Sequence, residues 1–362
     1  MEESMPKLKD LGAAGQSVWL DFIRRDMVAN GELASLVDEG VTGVTSNPSI
    51  FEAAIAGTDL YDEAIAAAKG DALAVFESLA VEDVQGAADL LRGVYDETDG
   101  LDGYVSLEVS PTLADDAEAT ISDAHRLWDL VNRPNLMIKV PATSAGIVAI
   151  EELIAAGINV NATLMFSLDD YDAVAMAYIR GAERTDYPHR IASVASFFVS
   201  RVDNKTDAAL DSIGTDEAYR LRGLAAVANA KLAYRRYQEI FEGEPFDLAR
   251  SRGARPQRPL WASTSTKNPA YSDVLYVDEL IGPNTVNTLP PATIDAFRDH
   301  GTIDSKALTR DVRDAQAHFD ALAAVGVDMD AITAELQIEG VAAFANAFES
   351  LLAAIEAQRD RS

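Results

Sequence analysis

LMIKVPATSAGIVAIEEL (136–153) reads as a β-rich run passing directly into a helix. Leu136, Met137, Ile138 and Val140 surround a single lysine, Lys139, while Thr143 followed by Gly146 marks the start of the helix. The same unit recurs on both sides of this stretch. Strands are expected at 17–22, 40–46, 104–110, 136–142, 158–166, 191–199, 259–264 and 285–290, with amphipathic segments between them. Leu224, Val227, Ala228 and Leu232, for example, share one helical face. Eight strands alternating with helices in a chain of 362 residues predict an α/β fold, a (β/α)₈ TIM barrel. A doubly wound dinucleotide-binding sheet has no support, because no G-x-G-x-x-G follows any strand. The long connections at 47–103 and 201–257 call for additional helices. The segment around 330–358, ending in VAAFANAFESLLAAIEAQ, predicts a C-terminal helix packing over the barrel. Residues 1–16 form an N-terminal extension, and no linker divides the chain, so 1–362 reads as a single TIM-barrel domain.

Composition narrows the function. The 48% hydrophobic content suits a large buried core, and no apolar run of spanning length stands out. The opening MEESMPKLKDLGAAG lacks the basic-then-apolar layout of a signal peptide, so the expectation is a cytoplasmic protein with no membrane partner. With no cysteine, disulfides, thiolate catalysis and cysteine metal sites are excluded together. The formal charge of −29 repels nucleic acid and anionic lipid. Any phosphorylated ligand therefore needs a local cluster of basic and amide donors. Lysine is scarce beside arginine, which makes one inside an apolar strand conspicuous.

In a TIM barrel the chemistry lies at the C-terminal ends of the strands. Asp21 falls near the end of the first strand, Asn47 just after the second, and Glu108 near the end of the third. Lys139 occupies the last half of the fourth. Asn161 and Thr163 share one face of the fifth, Ser196 and Phe198 one face of the sixth, and Ser263 closes the seventh. Each has an ordinary alternative. A strand-end lysine commonly snorkels or pairs with a carboxylate, an isolated carboxylate commonly caps a helix, and Asn-Pro at 47–48 is a common cap signal. Together they describe something else. An apolar setting favours the neutral amine that attacks a carbonyl. Two carboxylates, Glu108 and Asp21, can then divide the proton transfers that such chemistry needs.

These residues resemble the transaldolase family. GVTSNPSIF (43–51) is similar to its first signature, and LMIKVPATSAGIVAIEEL (136–153) to its second, which carries a Schiff-base lysine. NVNATLMFS (159–167) and SFFVSR (196–201) resemble the following active-site segments. The resemblance implies a transferase of the pentose phosphate pathway. Such an enzyme moves a dihydroxyacetone unit from a ketose phosphate (sedoheptulose 7-phosphate or fructose 6-phosphate) to an aldose phosphate (glyceraldehyde 3-phosphate or erythrose 4-phosphate). It needs no metal and no organic cofactor. Lys139 is implied to form the imine and Asp21 to accept the hydroxyl proton in the retro-aldol step. Glu108 is implied to act as acid and base through a water held with Thr163. Asn47 and Asn161 orient the donor hydroxyls and the lysine, Ser196 helps place the donor, and Phe198 walls the site. Arg201 and Ser263 hold the phosphate. A second phosphate-binding arginine, common in the family two residues after that serine, is replaced here by Ser265, and Lys267 is expected to supply the lost charge. Monomer and homodimer are both compatible with the sequence.

The nearest rival is a fructose-6-phosphate aldolase-like enzyme, which releases the three-carbon unit to water. Those relatives are shorter and tend to carry tyrosine in place of Glu108. A metal-dependent hydrolase is disfavoured because His125, His189, His300 and His318 all fall outside the expected strands. A silent scaffold predicts a broken constellation, whereas each central position here is filled. Arg250, Arg252, Arg255 and Arg258 precede the seventh strand and read as a surface feature at the opposite end of the barrel.

Overall fold

The computed structural model describes residues 8–360, so residues 1–7 of the expected N-terminal extension lie outside the described part. Eight parallel strands close a barrel in chain order. They are β1 (Gln16–Leu20), β2 (Val41–Val44), β3 (Tyr104–Glu108) and β4 (Leu136–Pro141). The circuit continues through β5 (Val160–Met165), β6 (Ser193–Phe198), β7 (Arg258–Ala262) and β8 (Thr285–Leu289), which pairs with β1. All eight expected strands are present, most of them shorter at their ends than their sequence patterns suggested. Every residue of β4, β5 and β6 is buried, because one face fills the barrel and the other meets helices. That double burial is why β4 reads as a near-continuous apolar run around Lys139 rather than an alternating one.

Barrel filling sets individual residues. Trp19 of β1 is wholly buried and stands in register with Gly43 of β2. A Cβ at position 43 would lie 2.6 Å from the indole ring, so only glycine leaves room for it. Near the start of the strands, Arg258 corrects the surface reading of the arginine run. It is buried, donates to Ser17 Oγ at 2.8 Å and to the Leu101 carbonyl at 2.9 Å, and lies 3.7 Å from Asp102. Asp102 also accepts from Trp19 Nε1 at 2.6 Å and Thr42 Oγ1 at 2.9 Å. This carboxylate comes from a distant loop, and its pairing is what lets the guanidinium enter the fold. Arg250 and Arg252 remain exposed, and Arg255 pairs with Asp99 at 2.8 Å.

The long connections hold helices as expected. Pro48–Ala56, Asp62–Ala67 and Ala72–Glu97 separate β2 from β3, and Ser200–Ile213 through Asp247–Ser251 separate β6 from β7. The last helix, Met329–Arg359, packs on Pro48–Ala56, on Ala72–Glu97 and on the end of β5. Leu336, Gly340, Phe344, Phe348 and Leu351 form part of its buried stripe. By length and composition this helix is apolar enough to cross a bilayer, which revises the reading that no such run exists. Alanines on its outer face, such as Ala342 and Ala343, raise its hydropathy, while the phenylalanines pack inward.

Candidate active site

Strand register alone assembles the centre of the site. The β3–β4 ladder sets Glu108 opposite Lys139, and the β4–β5 ladder sets Asn161 opposite Lys139 and Thr163 opposite Pro141. Lys139 is buried, and its Nζ has three electron-rich neighbours. It donates to the Ser46 carbonyl at 3.3 Å, lies 3.5 Å from Glu108 Oε2, and faces the Phe344 ring with 5.4 Å to the centroid. Ser46 is fixed in turn by its own hydroxyl, which donates to the Ser106 carbonyl at 2.7 Å.

The Glu108 side chain is only 4% exposed. Desolvation pushes its carboxyl up to about 7, with the Lys139 ammonium opposing. Neither carboxylate oxygen has a hydrogen-bond partner among the described residues, and neither does Thr163 Oγ1. Asn161 lies deeper. Its Nδ2 donates to Ser106 Oγ at 3.0 Å and its Oδ1 accepts from Ser196 Oγ at 2.6 Å, a chain that locks the floor beneath Lys139.

Above this floor opens a cleft. Asp21, Asn47, Lys139, Thr163, Ser196, Phe198, Arg201, Ser263 and Lys267 all line it. Two expected site residues do not. Asn161 is held beneath it, and Glu108 borders an adjoining apolar pocket walled by Phe51, Phe76 and Phe348. Asp21 accepts from Thr45 Oγ1 at 2.8 Å, which orients its carboxylate. Asn47 caps the helix Pro48–Ala56, its Oδ1 accepting from Ile50 N at 2.9 Å. The cap reading and the site reading coexist, because capping uses only the amide oxygen. Thr143 does not line the cleft: its hydroxyl caps the next helix, accepting from Gly146 N at 3.0 Å, and donates to the Ala114 carbonyl.

Backbone strain gathers at the same mouth. Leu164 at φ 59° sits in the β5–β6 register shift between Ala162 and Met165. Ser263 at φ 57° follows directly on β7, its hydroxyl 3.0 Å from Ser200 Oγ. Non-glycine residues in this region persist where surrounding contacts hold them, and they cluster at functional sites.

One end of the cleft is cationic. Arg201, in the first turn of the helix Ser200–Ile213, is half-buried against the Phe198 ring at 5.3 Å and forms no ion pair among the described residues. Burial lowers its pKa, with Glu339 opposing. Lys267 is exposed and unpaired by carboxylates among the described residues, with Nζ 3.4 Å from Ser265 Oγ. Thr45, Thr288 and Pro290 also line the cleft without having been singled out in the sequence. Thr45 and Pro290 directly follow β2 and β8, and Thr288 is the next-to-last residue of β8, so all three fall at strand ends. Phe344 was missed for a different reason: Phe344 and Phe348 at i and i+4 look like core packing. Among the described residues, no three His, Cys, Asp or Glu side chains converge.

Similarity to known proteins agrees with this geometry. The family described as Transaldolase/Fructose-6-phosphate aldolase matches residues 18–355. A transaldolase of Frankia alni is 51% identical over 363 residues, covering 98% of both chains. One of Mycolicibacterium smegmatis is 48% identical with 98% of both covered, and one of Mycobacterium tuberculosis 48% identical with 99% of both covered. With strands β2 to β8, most of β1 and the whole lysine-centred cleft inside the matched span, the chain belongs to the transaldolase/fructose-6-phosphate aldolase family.

Proposed function

We propose that this chain is a transaldolase that carries the dihydroxyacetone unit of a ketose phosphate on Lys139 and delivers it to an aldose phosphate. The observation that carries the proposal is the setting of Lys139 Nζ, buried beside Glu108 and opening on a cleft that also holds Asp21 and two unpaired cations. The amine attacks the C2 ketone of fructose 6-phosphate or sedoheptulose 7-phosphate, and loss of water gives a protonated imine. Asp21 takes the proton from the C4 hydroxyl, the C3–C4 bond breaks, and the aldose phosphate leaves. The enamine that remains on Lys139 adds to the carbonyl of glyceraldehyde 3-phosphate or erythrose 4-phosphate, and hydrolysis of the new imine frees the product and the lysine.

Glu108 suits the two-way proton transfer of imine formation and hydrolysis, because a group near 7 gives and takes protons equally well at neutral pH. Its unpartnered oxygens and Thr163 Oγ1 support a role through a shared water. Asn47 offers its amide to the donor hydroxyls, Asn161 holds the floor through Ser106 and Ser196, and Phe198 walls the donor. Arg201, Ser263 and Lys267 take the phosphate, with Ser265 beside Lys267. The implied substrates are small sugar phosphates. The reading places the enzyme in the cytoplasm, in the pentose phosphate pathway, as one domain working without nucleic acid, membrane or cofactor.

Transfer and simple cleavage differ in the fate of the three-carbon unit, and Glu108 in place of tyrosine favours transfer. Incubation with fructose 6-phosphate and erythrose 4-phosphate should yield sedoheptulose 7-phosphate and glyceraldehyde 3-phosphate. Omitting the acceptor should leave at most a stoichiometric burst. Steady release of free dihydroxyacetone at the transfer rate would make the chain an aldolase instead.

A further inference from the structure

We propose that Phe344 of the C-terminal helix is a positioning residue for the Schiff-base nitrogen, its ring supporting the positive charge on Lys139 Nζ through the iminium stage. The inference rests on the Schiff-base reading above. Three electron-rich groups surround Nζ: the Ser46 carbonyl, the Glu108 carboxylate and the Phe344 ring. They differ in what they require. The carbonyl and the carboxylate act best through N–H donors, of which an ammonium has three. On conversion to an iminium the nitrogen keeps one N–H and becomes planar, so it can serve only one of the two oxygens well. The ring quadrupole needs no hydrogen and attracts the charge itself. Its contribution therefore persists when the oxygens lose theirs. It also falls away in the neutral enamine, so it favours the charged states on either side of the carbon–carbon step.

The ring is held in place rather than merely nearby. Phe344 is only 4% exposed and lines the substrate cleft. One turn earlier, a Cβ at Gly340 would come within 3.0 Å of Leu164 Cδ2 and 3.7 Å of Arg201 Nη1. Glycine there lets the helix settle onto the strained end of β5. One further turn back, Gln337 Nε2 donates to the Ala142 carbonyl at 3.0 Å, three residues after Lys139. Residues 337, 340 and 344 lie on one stripe, so the helix ties its aromatic ring to the ends of the strands that carry the lysine and its neighbours.

A core phenylalanine would act through shape, whereas this one is assigned a role through charge. Replacing it with 4-fluoro-, 3,5-difluoro- and 3,4,5-trifluorophenylalanine weakens the ring quadrupole stepwise at almost constant shape. The expected result is a graded fall in the protonated fructose 6-phosphate imine, and so in its trapping by cyanoborohydride, reaching about three- to tenfold for the trifluoro ring. Cyanoborohydride reduces the protonated imine and so reads that population directly, whereas carbon–carbon cleavage from the iminium to the neutral enamine should not slow. Trapping in Phe344→Leu should be slower still. A flat series, whether or not Phe344→Leu folds and is slow, would overturn the proposal and leave packing as the role of the ring. Failure of the Schiff-base reading itself looks different: the unsubstituted protein would then give no Lys139 adduct.

Discussion

In the proposed cycle Glu108 both gives and takes a proton within one turnover, and burial raises its carboxyl to about 7. Glu108→Gln keeps the size and removes the titration, so kcat should fall by about 10²- to 10⁴-fold, the usual span for a lost acid–base group. The pH profile of kcat/KM should show an inflection near 7 that is missing from the residual activity. Stability carries the same signature. The folded-state value lies above the ordinary 4.5, so the folded chain holds this proton more tightly than the unfolded chain. The stabilisation is complete below about pH 4.5 and is lost as pH rises through 7. Thermal unfolding at pH 5 and pH 8 should accordingly differ less for Glu108→Gln than for the unsubstituted chain. At the other end of the cleft, Arg201 is half-buried with no ion pair among the described residues, whereas Lys267 is exposed on a flexible stem. Lys267→Ala should raise KM for phosphorylated donors by about three- to tenfold with kcat little changed. Arg201→Ala should raise it further. Unaltered kinetics in Lys267→Ala would remove that lysine from the phosphate grip.

Elements of secondary structure at this mouth carry two duties at once. Asn47 begins the helix Pro48–Ala56 and also lines the cleft, and a graded pair of substitutions separates the roles. Asn47→Ala should cost about 1 kcal/mol of stability through the lost cap and should also raise KM. Asn47→Ser restores a capping oxygen without restoring the amide, so denaturant midpoints should recover while KM stays high. If stability and KM recover together, Asn47 serves the site only through the helix. The loop after β7 is fastened in a comparable way. Tyr271 Oη donates to Asp207 at 2.6 Å and Tyr276 Oη to Asp203 at 2.7 Å, both acceptors lying on the helix that carries Arg201 in its first turn. The segment bearing Ser265 and Lys267 is thereby held against the helix that presents the guanidinium. The C-terminal helix adds the third tie, through Gln337 and Phe344.

Across the whole molecule, the −29 charge opposes the approach of dianionic sugar phosphates that the cleft is built to hold. Screening that field should raise kcat/KM severalfold as ionic strength goes from about 10 to 150 mM, since the Debye length shrinks from about 30 to 8 Å. A fall over that range would show the local cations of the cleft outweighing the global field. The barrel itself was legible in the sequence because each strand is a short apolar run with a polar residue at its end. The same rule found Asp21, Asn47, Lys139, Thr163, Ser196, Phe198 and Ser263, all of which line the cleft. What stayed hidden depends on closure. Asn161 shares its strand face with Thr163 yet is drawn down between Ser106 and Ser196. Arg258 is buried by a carboxylate from a distant loop, and Phe344 reaches Lys139 from the far end of the chain inside a helix that reads as ordinary core. The claim on which the rest depends is that Lys139 forms the covalent bond. Borohydride reduction in the presence of fructose 6-phosphate, followed by peptide mass mapping, tests it directly. A reduced three-carbon adduct on the peptide containing Lys139, absent from Lys139→Ala, is the predicted result. An unmodified Lys139 under conditions of turnover, or an adduct on another lysine, would contradict it.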